Sequence, residues 1–112
     1  RLGLAGEPRR SRVEISPSTL AFLRSALGDV VEVPGGTAHG IEGVPTIAGK
    51  TGTSQVMSEV EGRPYLKEHA WFAGFAPREN PQVACAVLVE HGGHGSAAAA
   101  PLAATLLREA LK

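Results

Sequence analysis

The run Ala48-Gly49-Lys50-Thr51-Gly52-Thr53-Ser54 constrains this chain more than any other. It sets a lysine between two glycines, with hydroxyl side chains next to it. Residues 46–57 otherwise have the pattern of a strand. Glycine inside a strand marks an edge or a close approach to the backbone. Bare backbone beside an ammonium is suited to holding a small anion. A nucleotide phosphate and a peptide carboxylate are the two candidates.

The rest of the chain predicts an α+β fold. Its 112 residues suffice for one modest domain. Residues 1–12 are polar and basic and are expected to be a connector or a disordered lead, with a short extended piece over Arg12-Val13-Glu14-Ile15. Ser16-Pro17 suits a helix start, serine capping and proline in the first turn. Leu20, Leu23, Leu27, Val30 and Val31 follow at helical spacing, with Gly28 a weak point. Residues 33–40 form a glycine-rich loop. After the strand at 46–57, Gly62 and Pro64 make 57–68 a connecting loop or ragged hairpin. Residues 69–76 alternate, with Trp71, Ala73 and Phe75 on one face and Phe72 and Gly74 on the other. Residues 77–81 turn, and 82–90 form a strand apolar on both faces, which predicts cover on both. Residues 91–96 turn again, with Ser96 a candidate cap for a final helix over 97–111. That helix carries Ala99, Leu102, Ala103, Leu106, Leu107 and Ala110 as its stripe. Arg108 and Lys112 suit its C-terminal end, where the helix dipole favours cations. The expected architecture is an antiparallel sheet, three strands in this chain, flanked by helices.

Composition excludes several function classes. Lys+Arg and Asp+Glu number 11 each, so bulk charge does not draw the chain to nucleic acid. No apolar run is long enough to cross a bilayer. The single cysteine, Cys85, rules out an internal disulfide framework and falls in an alternating apolar stretch, where a packed thiol is expected.

Spacing counts against the first of the two anions. A phosphate-binding loop needs G-x-x-x-x-G-K-[ST] between a buried strand and a helix. Five residues separate Gly43 from Gly49, not four, and Pro45 would lie in the preceding strand. The helix would start Thr51-Gly52-Thr53-Ser54, which is poor helix material. The alternative is the K-T-G element of active-site serine enzymes, where the lysine lies on a strand at the cleft edge. Such an edge offers free N–H and C=O groups to an extended peptide.

Lys50-Thr51-Gly52-Thr53-Ser54-Gln55-Val56 resembles the K-[ST]-G-T-[AS]-Q-V run of class B penicillin-binding proteins. Gly36-Thr37-Ala38 resembles that family's G-T-A loop. Trp71-Phe72-Ala73-Gly74-Phe75-Ala76-Pro77 and Asn80-Pro81-Gln82-Val83-Ala84 resemble its next two strands. Glu90-His91-Gly92-Gly93 and Ala100-Pro101-Leu102-Ala103 resemble its closing turn and helix. The resemblance runs from about Val13 to Lys112 and is strongest to the elongation-type members. It implies a peptidoglycan D,D-transpeptidase working through a serine acyl-enzyme and trapped by β-lactams. By the same resemblance Lys50, Thr51, Gly52 and Thr53 bind substrate, Lys50 also serves the proton relay, and the Thr53 N–H is one oxyanion donor.

The S-x-x-K and S-x-N motifs are absent: Ile47, Pro64 and Glu109 stand three before Lys50, Lys67 and Lys112, and Arg78 two before Asn80. The chain is therefore expected to be the C-terminal part of such a domain, over residues 13–112, inactive by itself. A serine D,D-carboxypeptidase, a β-lactamase and a penicillin-sensing receptor domain remain alternatives. The resemblance further implies a membrane-anchored protein facing the periplasm, with a membrane glycan polymerase and elongation scaffold proteins as partners. It implies no metal and no cofactor.

Other residues have humbler expected roles. His91 and His94 form H-x-x-H without a nearby third ligand, so a turn is favoured over a metal site. His39 is a candidate to line the cleft, and His69 is expected to be structural. Trp71, Phe72 and Phe75 are expected in the core. Residues 57–68 are expected to border the substrate groove.

Overall fold

The first helix starts where its cap dictates. In a computed structural model that describes residues 6–41, 45–90 and 97–112, α1 spans Pro17–Glu32. Ser16 Oγ accepts the Thr19 N–H at 3.2 Å, and Pro17 occupies the first turn, where its missing donor costs nothing. The helix ends at Val33, which is extended at φ −92° and ψ 145°. The residue before a proline is driven out of the helical region, and Pro34 follows. Residues 7–16 hold no helix or strand, so the short extended piece expected at 12–15 does not form a strand.

Three strands follow: β1 at Ala48–Val60, β2 at Arg63–Ala76 and β3 at Val83–Val89. They pair antiparallel in the order β1-β2-β3. The β1–β2 register is unbroken from Ala48↔Phe75 to Val60↔Arg63. Between these strands only Glu61 and Gly62 turn, with φ of 52° and 77°. Two successive positive φ values make the tight turn whose twist matches the flanking strands. Residues 57–68 are thus a closed hairpin, not a connecting loop. Gly62 belongs to its turn, and Pro64 sits opposite Glu59 in a pair that needs no donor from it. β3 pairs with β2 only from Ala70 to Ala76, so the hairpin projects beyond the three-stranded part.

Phe72 is fully buried and shares a core with Ala70, Ala76, Ile47, Val31 and the second helix, α2. α2 spans Ala99–Ala110 and contributes Ala99, Ala100, Ala103, Ala104 and Leu107. It packs on β2 and β3. Its cap position is Ala98, with no side-chain bond to the helix; the Ser96 cap expectation and the His91 and His94 turn lie outside the described residues. Burying a phenylalanine contributes roughly 1.5–3 kcal/mol. Room for this one comes from glycine, since a Cβ at Gly49 or Gly74 would collide with the Phe72 ring.

Helix α1 touches the sheet through β1 and is tied to the β2–β3 turn by Arg78. The Arg78 N–H donates to Thr46 O at 2.9 Å. Its guanidinium bonds Glu32, reaches Asp29 Oδ1 at 3.4 Å, and donates to Ser25 O at 3.3 Å. Gly28 is the seat for this side chain, because any Cβ there would strike the guanidinium. The glycine that weakens the helix by propensity is what lets the helix dock.

Several expected burials do not occur among the described residues. Of α1 only Gly28 and Val31 are buried, while Leu20, Phe22 and Leu23 are exposed. Trp71 is 41% exposed and Leu88 43%, on the sheet face opposite Phe72. Ala84 and Ala86 are exposed beside them, so β3 is covered on one face rather than two. The physical reason is geometric: α2 covers one face, and α1 meets the sheet only at β1. The radius of gyration, 16.2 Å, accordingly exceeds the about 13 Å of a compact domain of this length. In α2, Arg108 Nε and Nη2 are buried without a hydrogen-bond partner among the described residues.

Two outcomes are expected. Gly49→Ala overpacks Phe72 and lowers stability by roughly 1–3 kcal/mol in a thermal or urea melt, whereas Gly52→Ala does not. Burial raises the Cys85 thiol above its ordinary pKa, so its thiolate stays scarce at neutral pH. Alkylation by iodoacetamide at pH 8 is therefore slower in the folded protein than in urea, and gains speed only as pH climbs past the usual thiol range.

Candidate functional site

Lys50 is the third residue of β1, and the strand continues ten residues beyond it. No helix follows the Gly49-Lys50-Thr51 turn of sequence, which removes the phosphate-loop reading. Lys50 is exposed, and its ammonium donates to the Thr51 carbonyl at 2.8 Å. Along β1 the side chains alternate, so Thr51 and Thr53 share one face and Lys50 and Gly52 the other.

The phase of the ladder decides where the backbone points. In an antiparallel pair, facing residues either exchange both hydrogen bonds or turn their N–H and C=O groups away from each other. Pro64 has no N–H, and it faces Glu59. A proline fits the second kind of pair without loss. Stepping by twos along an unbroken register, 57/66, 55/68, 53/70 and 51/72 belong to the same kind. The N–H and C=O of Thr51 and Thr53 are therefore directed off the ladder. The Lys50 ammonium on the Thr51 carbonyl agrees with this phase. Among the described residues nothing pairs with that side of β1, so these groups line a free edge.

The two glycines beside Lys50 differ in kind. Gly49 is buried under Phe72, so it serves packing and not an anion. A Cβ on Gly52 would meet only Trp71 Cβ, at an ordinary 3.4 Å. Nothing within the described chain demands glycine at position 52.

Beside the edge lies an open recess lined by Ala26, Asp29, Val33, Gly36, Thr37 and Lys50 among others. Thr37 Oγ1 lies 2.7 Å from Thr51 Oγ1. The sequence marks Thr37 only as the middle of the Gly36-Thr37-Ala38 run and does not reveal its partner, because the contact spans 14 positions. His39 is not brought to this recess. Its Nδ1 donates to Val31 O at 3.2 Å, and it lines a separate hollow with Glu32, Ile41 and Ile47. Trp71 lies on the open face, where its indole N–H donates to Ser54 Oγ at 3.0 Å, rather than in the core. His69 pairs across from Ser54. Among the described residues no cluster of His, Cys, Asp and Glu could hold a metal ion. No helix among them is long and apolar enough to cross a membrane.

Comparison with known proteins gives the family. Residues 5–108 match the family described as the penicillin binding protein transpeptidase domain. The peptidoglycan D,D-transpeptidase PbpA of Mycolicibacterium smegmatis is 37% identical over 94% of this chain and 21% of its own length. The peptidoglycan D,D-transpeptidase MrdA of Acinetobacter baumannii is 42% identical over 69% of this chain and 12% of its own. The crystal structure of Pseudomonas aeruginosa PBP2 in complex with WCK 5153 superposes with a TM-score of 0.72, at 35% identity, over 96% of this chain and 23% of that one. The chain thus spans about a fifth or less of the length of these curated relatives. With the family matched across nearly the whole chain, and an antiparallel sheet and two helices superposing on a solved member, this protein belongs to the penicillin-binding-protein transpeptidase domain family.

Proposed function

We propose that residues 13–112 form the C-terminal part of a peptidoglycan D,D-transpeptidase and supply one wall of its active site. The observation that carries this is the free edge of β1, where the Lys50 ammonium reaches round to the Thr51 carbonyl and the Thr53 N–H is directed off the ladder. A stem peptide lying along the edge as an added strand would direct its terminal carboxylate to the Lys50 ammonium and to the Thr51 and Thr53 hydroxyls. The carboxylate is a charged acceptor, and bonds to such acceptors are about twice as strong as neutral ones.

The chemistry is acyl transfer. A serine outside these 112 residues attacks the D-Ala-D-Ala carbonyl, the terminal D-Ala leaves, and an amine of a second stem peptide resolves the acyl-enzyme. As the carbonyl oxygen gains charge, the Thr53 N–H stabilises it together with the serine's own N–H. One such donor is worth roughly 2.7–4 kcal/mol in the transition state. Gly52, which has no packing reason of its own, leaves space for the acyl chain against the strand. The hairpin over 57–68 prolongs the same edge and so borders the groove. β-Lactams enter as mimics of the dipeptide. In this reading the whole protein is anchored in the cytoplasmic membrane with this part on the periplasmic side. It works beside a membrane glycan polymerase and elongation scaffold proteins, and needs no metal or cofactor.

The test is covalent labelling. A fluorescent penicillin forms an adduct with the full-length polypeptide, seen by intact mass, and none with residues 1–112 alone. Lys50→Ala slows adduct formation by two orders of magnitude or more. An adduct on the 112 residues alone, or full labelling of the Lys50 variant, overturns the reading. Gly52→Ala keeps the thermal midpoint but slows acylation at least tenfold; equal rates would remove Gly52 from the site.

A further inference from the structure

We infer that Thr37 is a positioning residue for the substrate carboxylate, acting through Thr51. This rests on the reading of β1 as the carboxylate-binding wall.

The chemistry follows from counting protons. The Thr37 and Thr51 hydroxyls lie 2.7 Å apart, and either can be the donor. Each has one proton and accepting lone pairs. Their mutual bond uses one proton of the two. The other is left to donate outward, whichever way the bond runs. If Thr37 donates, the Thr51 proton is free. If Thr51 donates, the Thr37 proton is free. An anion beside the pair therefore always meets one O–H, and it selects the arrangement that points a proton at it. A lone Thr51 would have no partner fixing its hydroxyl direction.

Thr37 is held in place by a loop built for close approach to α1. The Ala38 N–H donates to Val30 O at 2.9 Å, and the His39 N–H to Gly36 O at 3.1 Å. Gly36 lies so near the Asp29 and Val30 carbonyls that a Cβ would collide with both. Ala38 is buried in the core cluster. His39 Nδ1 bonds Val31 O from the other side. The loop is thus clamped to the end of α1 on both flanks of Thr37, and its hydroxyl is offered to β1. Thr37 and Lys50 line the same recess, so the residue that holds the Thr51 hydroxyl borders one space with the ammonium. The Arg78 contacts to Asp29 and Glu32 anchor α1, and the loop with it.

The experiment compares a penicillin bearing its free carboxylate with the methyl ester of the same compound, on full-length wild-type and Thr37→Val polypeptides. The readout is the ratio of second-order acylation rates, acid over ester. Loss of one neutral hydrogen bond predicts a ratio lowered roughly three- to tenfold in Thr37→Val. Thr37→Ser, which keeps the oxygen, restores the wild-type ratio. A purely structural role would slow both compounds alike and leave the ratio unmoved, and that result overturns the inference. Should Thr37→Val fail to fold, Thr37→Ala against Thr37→Ser gives the same contrast. A wild-type protein that forms no adduct with either compound sinks the transpeptidase reading itself. A wild-type protein that prefers the acid, with Thr37→Val unchanged, sinks only the role of Thr37.

Discussion

The unbroken pairing of β1 with β2 governs everything else in this structure. Its register runs from Ala48↔Phe75 to Val60↔Arg63 without a bulge. A slip of one residue would exchange the faces of every side chain and reverse which backbone groups reach the free edge. Two features pin it. The two-residue turn at Glu61 and Gly62 fixes one end. Phe72, fitted between Gly49 and Gly74, fixes the other, since only glycine leaves space for the ring. With both ends held, the Thr53 N–H has one direction, away from β2.

Packing accounts for some of the glycines and not for Gly52. Gly49 and Gly74 make room for the core, Gly28 seats Arg78, and Gly52 has no neighbour in the described chain that excludes a methyl. The polar groups divide in a similar way. Arg78 joins α1 to the β2–β3 turn, and Thr46 adds a hydrogen bond to Glu79 at 3.2 Å. These contacts bring the end of α1, and the loop after it, against the edge strand. The Thr37–Thr51 pair is therefore a consequence of how a distant turn grips a helix.

Much of this was legible in the residues. The Ser16-Pro17 start, the three strands, and the opposite facing of Trp71 and Phe72 all follow from local capping and period-two patterning. Residues 57–68 stay open between a connecting loop and a ragged hairpin in the sequence because Gly62 and Pro64 are loop-formers by propensity, and the structure has the hairpin, with a regular ladder. Neither conflicts with pairing once the turn and the phase of the ladder are known. The exposed faces of α1 and β3 were misread because periodicity reports which residues are apolar, not what covers them.

What the sequence determined by itself was the family: a K-T-G-T run on a strand, in the order and company of one group of proteins. Such a pattern is local, and its chemistry lies in residue types and their spacing. Tertiary structure alone decided that Gly49 is core while Gly52 is open, that His39 faces a different hollow, and that Thr37 meets Thr51. Each of these depends on segments far apart in the chain, brought together by the ladder and by Arg78, and no local periodicity encodes which long-range neighbour a side chain will find.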